Sequence, residues 1–293
     1  MDFARAKAHD RVIIKGALVT RSLLAADRTK RMNENYDVKG SVHTLEQRRP
    51  WKYGLDNLPN HESFDVEFSP TGKVLQQTDY TNATGVYRSS RFTYDDAGRL
   101  VRTVQFDGAG IEVAISEFEY SEGRRLCTTS DATGIVTGRD VDEYDGKLLT
   151  LLGSYDSDGK PKRLESFHYT NGKLIEAVSK FYVRDGSLVE ISISRFDSLG
   201  RIVEAFGITP EGKPTGDGRY TYEYDGDGRK HRILSYNDLD NSDVPNSIRG
   251  FEYKCDEHGN WIERSEYHRF RSASDWTKRI TTRTLTYYPH VDS

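Results

Sequence analysis

The chain has 293 residues, a formal net charge of -4, a pI of about 6.1, 35% hydrophobic residues and a mean hydropathy of -0.74. That charge balance excludes polyanion binding by the chain as a whole, and no run of about eighteen apolar residues is present to cross a bilayer as a helix. A two-layer sandwich with two dry inner faces needs more apolar residues than this, so a long sheet wetted on one side is expected.

Residues 1–50 stand apart from the rest. They hold 11 Lys and Arg against 6 Asp and Glu, a net of +5, whereas the remainder is acidic. The start, Met1 to Lys7, does not lead into an apolar stretch with a small-residue cleavage site, which reads as cytoplasmic residence. Arg11 to Leu24 mixes Val12, Ile13, Ile14, Leu18, Val19, Leu23 and Leu24 in a pattern that fits helix and strand equally. The segment is read as a basic cap or tether, which either covers the first edge of the sheet or docks on a partner.

Residues 51–293 carry a repeat. Turn glycines recur at Gly72, Gly98, Gly123, Gly146, Gly172, Gly200, Gly228 and Gly259, in steps of 26, 25, 23, 26, 28, 28 and 31. A second series, Gly85, Gly110, Gly134, Gly159, Gly186 and Gly212, falls about halfway between them, so each repeat holds two strands and two turns. Alternation places Phe92 with Tyr94, Phe118 with Tyr120, Phe167 with Tyr169, Tyr222 with Tyr224 and Phe251 with Tyr253 on shared faces. The second residue after the glycine is apolar at Val74, Leu100, Leu148, Leu174, Ile202 and Trp261. The eighth is aromatic at Tyr80, Phe106, Tyr236 and Tyr267, and equal parity predicts one face for both positions. The middle repeats depart from this, with Arg125 in the aliphatic position and Asp131 and Lys180 in aromatic ones; bulges or register adjustments are expected there. The fold class is all-β, an antiparallel hairpin meander of about sixteen strands forming a curved or spiralling sheet.

Motifs for chemistry are missing from the sequence: no zinc-protease helix, nucleophile elbow, phosphate loop or Cys-x-x-Cys pair is found. The Asp-rich turns Asp156–Gly159 and Asp225–Gly228 hint at calcium, but the same residues are what hairpin turns demand. His168 should face away from Phe167 and Tyr169, and His231, His258 and His268 lack ligand spacing. No catalytic residue, cofactor or metal site is therefore assigned, and a non-enzymatic protein is expected. Cys127 and Cys255 are read as free buried thiols. The 18 tyrosines form either cross-strand ladders or an exposed recognition face.

Two signatures, Tyr94-Asp95 with Gly98-Arg99-Leu100 and Tyr224-Asp225 with Gly228-Arg229, resemble the YD repeats of the rearrangement-hotspot (RHS) proteins. The weaker copy from Tyr169 to Leu174 is similar to the hairpin repeats of MORN-type toxin–antitoxin proteins. The RHS resemblance implies a spiralling β-strip that can close into a shell around a toxin. This chain reads as too short for such closure and lacks the Asp-Pro-x-Gly core motif that precedes the cleaved toxin. The expected function is a protein-binding scaffold, in its sharper form a cytosolic immunity or chaperone-like partner of a bacterial toxin, with no nucleic-acid or membrane partner. The alternatives are a carbohydrate-binding or adhesive module, and a hydrolase using turn aspartates.

Overall fold

The computed structural model describes residues 42–48, 59–81, 85–236 and 244–287, and among them the regular structure is entirely β. The first nine strands are β1 (Val42–Arg48), β2 (Pro59–Phe68), β3 (Val74–Thr81), β4 (Val86–Tyr94), β5 (Leu100–Asp107), β6 (Glu112–Ser121), β7 (Arg124–Asp131), β8 (Val136–Asp145) and β9 (Leu148–Asp156). The second nine are β10 (Pro161–Thr170), β11 (Lys173–Tyr182), β12 (Leu188–Phe196), β13 (Ile202–Ile208), β14 (Pro214–Tyr224), β15 (Lys230–Tyr236), β16 (Ser247–Cys255), β17 (Trp261–Phe270) and β18 (Thr277–Tyr287). Each pairs antiparallel with the next, as the meander predicts. β18 also pairs with β1, Leu285 opposite Leu45, so the sheet closes into a barrel of 18 strands.

Closure corrects two expectations, the open or spiralling sheet and a chain too short to close. The strand that completes the ring lies inside the basic first segment, where no repeat phrase marks it: β1 bridges β18 and β2 and leaves neither with a free edge. A cap or tether role for residues 1–41 lies outside the described residues.

The turns explain why Asp and Gly recur. Asp95 accepts the Gly98 amide on its carbonyl and the Arg99 amide on Oδ1 at 2.7 Å, while Gly98 takes a φ of 81°. That left-handed residue closes a three-residue hairpin loop, a conformation glycine adopts without the penalty of a Cβ. Asp197, Asp225 and Asp256 build the same turn at this rim, and Asp107, Asp131 and Asp156 build it at the opposite rim.

Beyond most turns the strand carries one extra residue. Tyr94 opposes Leu100 while Thr93 opposes Arg102, so Val101 has no cross-strand partner. Leu75, Val203, His231 and Ile262 are displaced in the same way. This bulge shifts the strand's alternation by one residue. The second and eighth positions after the glycine therefore lie on opposite faces, Leu100 inside and Phe106 outside, which corrects the parity prediction. Of the irregular middle repeats, the Gly172 hairpin is bulged like its neighbours, but the Gly123 hairpin runs in continuous register, Tyr120 opposite Arg125 and Glu119 opposite Leu126. Its turn needs only Glu122 and Gly123 between paired residues, and Asp131 consequently falls on the inner face.

The inner face is apolar near the rim formed by the first glycine series. Val42, Leu45, Val66, Phe68 and Val74 form one buried cluster, Leu100, Phe118 and Cys127 a second, and Leu149, Phe167 and Ala177 a third. Burial of each large side chain contributes about 1.5–3 kcal/mol. Further along the same strands the inward positions turn polar, including Gln77, Ser90, Gln105, Ser116, Thr129 and Ser154.

Candidate binding lumen

The residues singled out from the sequence meet at the joints between successive hairpins. Arg99 ties its Nε to Asp95 Oδ2 at 2.8 Å and lays its guanidinium 4.9 Å from the ring centre of Tyr120 in the next hairpin. Tyr120 in turn donates to the carbonyl of Leu100 at 2.8 Å. Arg201, Asp197 and Tyr224 repeat the arrangement, with Tyr224 donating to the Ile202 carbonyl. Tyr94 reaches the Val74 carbonyl, Tyr169 that of Leu149, and Tyr253 that of Lys230. At the last joint the Arg229 guanidinium binds Asp227 and the Gly259 carbonyl in place of Asp225, which holds only the Arg229 amide. Tyr, Asp, Gly and Arg are thus fasteners in this barrel, and Tyr94, Tyr120, Tyr169, Tyr224 and Tyr253 are inward-facing ladder residues, whereas Tyr87 is exposed. Desolvation pushes the Tyr94 hydroxyl above its ordinary value and takes those of Tyr222 and Tyr224 up to about 12.

The calcium hint dissolves at the same level. Asp156 Oδ1 accepts the amides of Asp158 and Lys160, and Asp225 Oδ1 accepts those of Asp227 and Arg229, so both carboxylates serve their turns. His168 points outward, as its alternation predicts. Cys127 is buried, but Cys255 is exposed, which corrects half of the thiol reading, and the two do not pair.

What the sequence reading missed is the inside of the ring. Barrels of about 16–18 strands leave a water-filled interior. On β7 to β12 the inward row holds Asp140, Asp142, Glu165 and Glu190 against Arg125 and Arg163. Both arginines are engaged: Arg125 with Asp142, almost fully buried together, and Arg163 with Glu165 at 2.7 Å. Across the ring, with β8 and β17 nine strands apart in a ring of 18, β15 to β18 present Lys230, Arg249, Arg264, Arg279 and Arg283 with one carboxylate, Glu266, and with His268. On β4 to β8, reaching the acidic wall at Asp140, a depression of about 330 Å³ is lined by Ser90, Phe92, Gln105, Phe118, Cys127 and Asp140 among others. No alternation rule applied to one strand reveals opposed walls, because opposition exists only after closure.

The outer face carries charge ladders. Arg195 binds Glu204 at 2.7 Å and lies 3.9 Å from Glu176, and Arg219 reaches Glu204 from the other side at 3.5 Å. Lys254–Glu263 and Arg232–Glu223 continue the pattern, and Glu117 sits opposite Arg102 at the middle of β6. Val113, Ile175 and Val189 are exposed on β6, β11 and β12, and Ile135 and Leu199 at turns.

No protein-family model matches the sequence, nor does any curated protein. Among solved structures, a porin-like protein from Bacteroides uniformis is similar with a TM-score of 0.45 and 13% identity, over 84% of this chain and 96% of that one. A porin-like protein from Bacteroides vulgatus gives a TM-score of 0.31 at 14% identity, over 74% of this chain and 98% of that one. A TcdB2-TccC3-Cdc42 structure gives 0.27 at 15% identity; the match spans 80% of this chain and 13% of that one.

Proposed function

We infer that this chain is a non-catalytic, protein-binding barrel that works in water and receives part of its partner within the ring. The observation that carries this reading is polarity on both faces of one closed wall. Outside, arginine–glutamate ladders suit water; each Arg or Lys turned to lipid would cost up to about 2–4 kcal/mol, depending on depth. Inside, serine, glutamine and charged rows suit a hydrated polar guest better than an apolar small molecule. The turn aspartates are held by backbone amides, which leaves the hydrolase reading without a poised acid–base pair. The YD-like joints extend the proposal to its finer form, a cytosolic immunity or chaperone-like partner of a bacterial toxin.

The test places a photo-crosslinking residue at Ser116, which faces in, or at Glu117, which faces out, and isolates adducts from a native bacterial lysate. A polypeptide captured from Ser116 supports the reading. Capture of none from either position, together with turnover of a small substrate that is lost on changing Asp225 or Asp156, overturns it.

A further inference from the structure

The two walls of the lumen differ in sign, and their separation follows from the ring order. Tyr253 opposes Arg264, Phe251 opposes Glu266 and Arg249 opposes His268, while Glu266 opposes Arg279 on its other side. Glu266 is the one inward carboxylate among the described residues of β15 to β18, against Lys230, Arg249, Arg264, Arg279 and Arg283, so these cations share an excess of like charge. Their mutual repulsion is legible in Lys230, whose ammonium is pulled down to about 8 by burial, Arg249 and Arg264 in that order. Aromatic rings are set among the cations: Lys230 lies 5.1 Å from the ring centre of Tyr222, and Arg264 lies 5.8 Å from that of Phe251 and 5.3 Å from that of Trp261. A fold that only had to close would gain by spreading these charges apart.

Resting on the protein-binding reading above, we propose that the lumen holds an extended polypeptide segment of mixed charge, with its acidic side chains on the β15–β18 wall and its basic side chains toward Asp140 on the β8 wall. The chemistry selects the guest. Successive same-side residues of an extended chain are about 6.8 Å apart, the same repeat as Arg279, Thr281 and Arg283 along β18. Such a chain turns alternate side chains to opposite sides, so one strand can satisfy both walls. A nucleic acid or an acidic polysaccharide carries one sign only, and the β7–β12 wall, whose inward row sets four carboxylates against two arginines, opposes it. The aromatic rings add contact for apolar residues between the charges.

The test uses the full chain and three fluorescent probes of equal length: a peptide alternating Glu and Lys, a poly-glutamate peptide and a single-stranded oligothymidine. The alternating peptide is expected to bind tightest. Arg249→Gln and Asp140→Asn, neither of which joins an assigned ion pair, should each weaken it by about tenfold with an unchanged melting temperature. An acidic probe that binds best, or affinities indifferent to both substitutions, overturns the polarity while leaving a binding barrel in place. If no peptide binds and the crosslinking experiment also captures no polypeptide, the underlying reading fails with it.

Discussion

At the scale of single residues, the tyrosine joint makes two roles separable. The Tyr94 hydroxyl holds the Val74 carbonyl across neighbouring strands while its ring lines the inner wall, with Lys73 5.3 Å from the ring centre. Tyr94→Phe keeps the ring and should cost about 0.5–1.5 kcal/mol in chemical denaturation, and Tyr94→Ala about 2–4 kcal/mol. Equal losses from the two would show that the hydroxyl, not the ring, fastens the joint. Lys230 makes the second prediction, through pH. Its folded pKa of about 8 lies below the ordinary 10.5, so the unfolded chain binds the extra proton between those values and stability rises with pH across that window. Tyr222 and Tyr224 act oppositely: folded values of about 12 against an ordinary 10.0 mean that stability falls above pH 10. Unfolding free energy should therefore peak near pH 10, and Lys230→Met should flatten the rising limb alone. A rise that survives in Lys230→Met would sink the assignment. The joint residues were legible in the sequence because the same four types recur at fixed offsets. Their role was not, because it joins a side chain to a backbone carbonyl twenty residues away, Tyr94 to Val74 and Tyr120 to Leu100.

At the scale of the hairpin, the glycine series located the turns well, since φ above zero is a backbone demand that one residue type meets without strain. Gly98 and Gly110 mark opposite rims with φ of 81° and 79°; an added Cβ at Gly110 would meet open space, and at Gly98 only the flexible end of Lys73. Gly98→Ala and Gly110→Ala should thus lose similar stability, about 1–2 kcal/mol, because both losses come from the backbone. Gly250→Ala, within β16 and with open space around its Cβ, should be neutral or gain up to about 1 kcal/mol. Thermal melts of the three variants decide it, and a loss at Gly250 matching the turn glycines would refute the backbone account. The bulges were illegible for a related reason. A turn leaves a chemical mark in Asp and Gly, whereas an extra residue between Leu100 and Arg102 requires no particular side chain and shows only as a change of partner. One unmarked residue was enough to put Phe106 on the wrong face in a count by twos.

At the scale of the whole molecule, closure depends on one seam whose strands lie some 240 residues apart in the chain. No local pattern encodes it, since the ring closes only when the summed twist and coiling of seventeen strands returns β18 to β1. Leu45 is fully buried at that seam, opposite both Leu285 and Val66. Leu149 is nearly as buried but sits in a different cluster, with Phe167 and Ala177, far from the seam. Leu45→Ala and Leu149→Ala remove the same atoms and should each cost about 2–5 kcal/mol. Their consequences for assembly should differ. Loosening the seam frees the edges of β1 and β18, rows of amide and carbonyl groups that pair readily with another chain, so Leu45→Ala should show concentration-dependent association. Leu149→Ala weakens the wall where each strand keeps both neighbours, and should stay monodisperse until it unfolds. Light scattering across a hundredfold concentration range, below the melting temperature of both variants, separates the two. Association of both would mean that any loss of wall packing opens the barrel. Association of neither would mean that the backbone pairing from Thr44–Thr286 to Arg48–Thr282 holds the seam without its leucine.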